Sequence, residues 1–135
     1  ARMTWAASDD FKTGCLDGGL ARINNGSTDA NGDFRLLTAA DAELAQMQFA
    51  NPAFGAAAIV SGNPVAAANA IASDTSITAG TVAKTQIRDR NNGVKLAGSV
   101  GLPLSGADLE LTDITIDVDD IEAECVGLTF ALVFP

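Results

Sequence analysis

The chain has 135 residues, 17 of them acidic against 8 basic, with no histidine, one tryptophan and no tyrosine. A net charge of −9 without any Lys/Arg cluster repels phosphate backbones and argues against a nucleic-acid partner. The missing histidine removes Ser–His and Cys–His nucleophile pairs and every His-containing zinc site, and no run of about 18 apolar residues is present to span a membrane.

The length fits one domain, residues 1–135, able to hide about two thirds of its unfolded surface. Its apolar residues are largely alanine, so the core must rely on close packing of small and branched side chains. The first residues carry no basic flank followed by an apolar stretch, the pattern of a secretory leader.

Ala7, Phe11 and Cys15 recur at helical spacing, and Gly18-Gly19 offers a stop, so a short helix is expected over residues 3–16. This defines an N-terminal helical segment, 1–18, ahead of a β core, 19–135. Gly19–Asn24 reads as a strand and Asn24–Asp33 as an exposed loop. Thr38 and Asp41 have the spacing of a helical cap, and Ala42–Phe49 reads as a strand. Two Ala-rich runs, Phe54–Val60 and Val65–Ile71, flank Ser-Gly-Asn-Pro and suggest a hairpin.

Thr81–Arg90 alternates, with Ala83, Thr85 and Ile87 on one face and Lys84, Gln86 and Arg88 on the other. Asn91-Asn92-Gly93 then turns the chain into Val94–Val100, where Val94, Leu96 and Val100 share a face. Asp108–Leu111 and Ile114–Val118 continue the alternation, with Leu109, Leu111, Ile114, Ile116 and Val118 inward. In the last strand, Ile121–Phe134, Ala123 and Cys125 occupy one face, whereas Leu128, Phe130, Leu132 and Phe134 occupy the other. A period of two does not allow both sets into one core, so either a bulge near Gly127 resets the phase or neighbouring chains cover the second half. Val126, Leu128, Phe130, Leu132 and Phe134 are therefore the candidate interface. The whole pattern predicts a mainly β protein, an antiparallel β-sandwich or jelly-roll-like barrel with a short N-terminal helix.

Residues able to carry chemistry are few. The run Asp113, Asp117, Asp119, Asp120, Glu122, Glu124 offers oxygens, but calcium needs six to eight converging on one point, and a solvated face is the expectation. Asp29-Ala30-Asn31-Gly32-Asp33 starts like a calcium loop and fails where Phe34 and Ala40 stand in place of Gly and Glu. Asp108 and Glu110 share a strand face without an aromatic sugar platform, and Trp5 is expected to pack against the sheet. Cys15 and Cys125 match no metal spacing and are expected to be separate, reduced and mostly buried. No catalytic, cofactor-binding or metal-binding residue is assigned, and no enzymatic activity is expected.

Four phrases carry a resemblance: Ala50–Phe54, Ser73–Ser76, Thr81–Arg90 and Gly101–Leu109. Together they resemble a family of small virion structural proteins of tailed bacteriophages, over roughly the last two thirds of the chain. The resemblance implies a β-sandwich made in the bacterial host cytoplasm and located in the virion. The expected role is capsid decoration or cement, with the major capsid protein as partner and a homo-oligomer, such as a trimer, as the working form. A tail, neck or adhesion-fibre role is the alternative. No cofactor is implied.

Overall fold

The computed structural model describes residues 6–134; the packing expected of Trp5 and the predicted helix start at Met3 lie outside them. Helix α1 spans Asp9–Leu20, with the Ser8 hydroxyl accepting from the Phe11 N–H at 3.2 Å and Asp9 and Asp10 in the first turn. Its buried side chains are Leu16 and Leu20, and the face continues to Ile23. The expected Phe11 and Cys15 stripe points outward, with Phe11 60% exposed. Gly18 and Gly19 stop nothing, because a glycine ends a helix by turning left-handed and both remain helical. Ala21–Asn24, expected as strand, is a 3-10 turn that buries Ile23 three residues after Leu20.

Eleven short strands follow: β1 Asp33–Leu37, β2 Glu43–Phe49, β3 Ala58–Val60, β4 Asn63–Ala67, β5 Ile71–Ala72, β6 Gly80–Thr81, β7 Lys84–Arg88, β8 Val94–Gly101, β9 Leu109–Glu110, β10 Thr115–Ile116 and β11 Thr129–Ala131. They form a six-stranded sheet ordered β5-β2-β1-β7-β8-β9, a three-stranded sheet β11-β4-β3 and the pair β10-β6. The protein is mainly β and sandwich-like, with one short N-terminal helix, as the alternation predicts. Phe34, Leu36, Met47 and Ile87 of the large sheet meet Ala66, Phe54 and Phe130 from the other layer. Phe49, Phe54 and Phe130 form an aromatic chain between the layers, with centroids 5.6 and 5.5 Å apart. Helix α1 closes one side against β3 and β4.

Two hairpins follow their turn chemistry. Ser61 and Gly62 both take positive φ, 49° and 82°, which is the two-residue turn that matches strand twist. Asn92, at φ 64°, sits at the β7–β8 turn. Thr38 and Asp41, expected to cap a helix, instead form the β1–β2 turn: the Thr38 hydroxyl accepts from the Ala42 N–H at 3.1 Å, and Asp41 takes φ 66°. The expected Thr81–Arg90 strand divides at Val82-Ala83 into β6 and β7, which join different sheets.

The polar faces of β1, β2 and β7 carry a charge ladder. Asp33 and Arg88 are cross-strand partners, Arg35 pairs with Glu43, and Gln46 donates to Asp33 at 2.8 Å. The Asn24–Asp33 loop is largely exposed, as expected, and is fastened to the β7–β8 turn. Asn91 Oδ1 accepts from the Ser27 N–H at 2.9 Å and the Thr28 hydroxyl at 3.0 Å, and the Asp29 N–H donates to the Arg90 carbonyl at 2.8 Å.

Candidate interaction surface

After β8 the chain is mostly irregular, and aspartates hold it in place. Gly101 ends β8, and the chain loops back so that Leu109 and Glu110 run parallel to Val100 and Gly101. This is the one parallel pairing in the large sheet, where antiparallel strands were expected. The Asp108 carboxylate secures it, accepting from the Ser99 N–H at 2.8 Å and the Ser99 hydroxyl at 2.9 Å. Those bonds, the N–H first, hold the Asp108 carboxyl below its ordinary pKa. Glu110 accepts from the N–H groups of Leu104 and Gly106 within the same loop. The pair Asp108 and Glu110 thus builds a turn.

Asp74 makes a second clasp. Its carboxylate accepts from the Gln46 N–H at 2.7 Å and the Ser76 N–H at 2.8 Å, while its backbone exchanges two hydrogen bonds with Ala123. Further along, Asp113 accepts from the Thr115 N–H and Asp120 from the Asp117 N–H, each at 2.8 Å. A carboxylate within one side-chain length of a loop N–H replaces the sheet ladder that these segments lack.

This scaffold divides the five candidate interface residues. Leu128 and Phe130 are half-buried against the domain's own core. The strand expected over Ile121–Phe134 shrinks to β11, and the inward phase passes from Cys125 to Leu128 through an irregular break at Val126-Gly127. Val126 is 91% exposed, and Leu132 is also exposed. Phe134 is half-buried beside Lys12, whose ammonium lies 5.6 Å from the ring centre. Two residues expected inward or at a strand start stand in water: Val118 is 87% and Ile121 81% exposed. Leu96 of β8 is exposed although it shares a strand face with buried Val100, and Val94, expected on that face, is exposed beyond a register shift that sets it opposite Arg88.

Leu96 borders an apolar groove that the sequence did not reveal. It runs between α1, β8 and β11, with Leu16, Leu20 and Ile23 on one wall and Phe130 and Leu132 on the other. Arg22 and Lys95 stand at its edge. The signal was present only as Leu16, Leu20 and Ile23, a second set of apolar residues at helical spacing.

Comparison with known proteins found no matching family model, no matching curated protein and no matching solved structure. The geometry therefore has to speak through its own chemistry. Among the described residues no group of three or more Cys, Asp or Glu gathers as a metal site, and no helix is long and apolar enough to cross a membrane. Cys15 and Cys125 are both free. Cys15 is exposed, contrary to expectation, because α1 turns its Leu16 face inward; Cys125 is half-buried, and burial pushes its thiol pKa up. What the surface offers is apolar contact area bordered by carboxylates.

Proposed function

We propose that this chain is a structural protein of a tailed-bacteriophage virion that decorates and cements the head shell through non-covalent contacts. The resemblance of four phrases to that family supports the setting. One observation supports a binding role most: Val118, Ile121, Val126 and Val133 are each more than four-fifths exposed in the isolated chain. Large apolar side chains gathered in the C-terminal third are surface awaiting a partner, and the major capsid protein is the partner this reading names. Selective binding to the expanded lattice would stabilise it by mass action.

Quantifying the chain against the major capsid protein in purified particles tests the reading. Copies in the hundreds per particle, together with lower heat resistance of particles lacking the protein, are the expected result. A count of a dozen or fewer would transfer the protein to the tail or neck, and its absence from particles would end the virion reading.

A further inference from the structure

Two surface features of this chain fit one another. The first is the strip from Asp117 to Gly127, where Val118, Ile121 and Val126 project into water at 87%, 81% and 91% exposure. Asp117, Asp119, Asp120, Glu122 and Glu124 surround them, and none of these carboxylates is ion-paired among the described residues. The strip holds to its own domain through the Ala123–Asp74 pairing and the half-buried Cys125, and presents Val118, Ile121 and Val126 outward.

The second feature is the groove. Its hollow of about 290 Å³ shares Leu96, Phe130 and Ala131 with a neighbouring one of about 450 Å³, which Asp108 also lines. Strand edges border it: β11 pairs only with β4, and β8 from Val94 to Ser99 pairs only with β7. At the groove's edge Lys95 is engaged by Asp89 at 2.9 Å, whereas Arg22 is exposed and has no carboxylate partner among the described residues.

We propose that copies of this chain bind one another with the Asp117–Gly127 strip of one seated in the α1–β8–β11 groove of the next. Charge selects this occupant. At a net −9, most approaches of two copies set like charges together, but this one brings unpaired carboxylates to an unpaired Arg22 while burying aliphatic side chains in an apolar trough. The strip and the groove are different patches, so a bound copy still offers one of each, and association continues until the rotation between copies closes it. The contact would provide the self-association expected of the chain without resting on the virion setting, because it concerns the purified protein alone.

Sedimentation velocity on the purified chain and two variants tests it. Val118→Ser/Ile121→Ser spoils the strip, and Arg22→Glu spoils the groove; all three positions are exposed, and urea melts verify that both variants fold. The wild type is expected to associate and each variant to do so on the order of a hundredfold more weakly. An equimolar mixture of the two variants is expected to recover a one-to-one pair, since each supplies the patch that the other lacks. A wild type that stays monomeric, variants that associate as well as it does, or a mixture that recovers nothing would each overturn the proposal. The particle count tests the capsid reading separately; self-association through the strip would leave Val133, of the four exposed side chains, for the shell.

Discussion

Asp33 and Arg88 face each other in register across β1 and β7, and the guanidinium grips both carboxylate oxygens, at 2.8 and 2.6 Å. Both side chains are largely buried, and the pairing raises the Arg88 pKa. Removing one partner strands the other charge. Asp33→Asn is expected to lower the unfolding free energy by about 3 kcal/mol, while the double change Asp33→Leu/Arg88→Met recovers most of the loss. Urea denaturation reads both; a double variant no better than the single would show that the pairing is not the cause.

The turn after β7 is an acid-sensitive latch. Lys95 first, then the N–H groups of Gly93 and Asn91, hold the Asp89 carboxyl below its ordinary value of 3.8. A folded pKa below the unfolded one stabilises fully above the unfolded value and loses that contribution as pH falls through the folded value. The stability gap between wild type and Asp89→Asn should therefore be widest near neutrality and close as pH is taken below 3.8. Lys95→Met should narrow the neutral gap. A gap that does not change with pH would contradict the latch.

Glycines divide into two kinds, and alanine scanning separates them. A Cβ on Gly32 would lie 2.6 Å from the Arg88 carbonyl oxygen and 2.8 Å from that of Ile23, both of them backbone. Gly32→Ala is expected to cost about 1–3 kcal/mol by overpacking. Gly14 lies within α1 with open space where a Cβ would go. Gly14→Ala should stabilise the chain by about 0.5–1 kcal/mol through helix propensity. Thermal melts with opposite shifts would verify the pair.

Thiol titration of the folded protein should show two phases of one group each. Cys15 is exposed and reacts first; Cys125, half-buried with its pKa raised by burial, reacts more slowly and accelerates only at higher pH than an ordinary thiol. Equal rates for the two groups would show that the Cys125 environment is open to water.

What was legible in the residues was local. Gly62 and Asn92 mark their hairpins because glycine and asparagine readily take the left-handed conformation these turns need. Thr38 and Asp41 were ambiguous for the same reason: a hydroxyl that caps a helix also closes a β-turn, and only the pairing of β1 with β2 decides. The parallel β8–β9 contact and the Asp74–Ala123 clasp depend on residues brought together by the fold, so no periodicity could announce them. The groove escaped because Gly18-Gly19 read as a helix stop and Gly19–Asn24 as a strand, which separated Leu16 from Leu20 and Ile23.

The pairing of β11 with β4, and of Ala123 with Asp74, has a consequence for synthesis. Until Thr129–Ala131 has left the ribosome, a nascent chain holds one edge of β4 unpaired and the apolar floor beneath Phe130 uncovered. Closure of the domain therefore waits on β11, and chains cut short before Thr129 present a sticky strand edge to one another. Premature termination of this chain would yield aggregates in place of a smaller working domain.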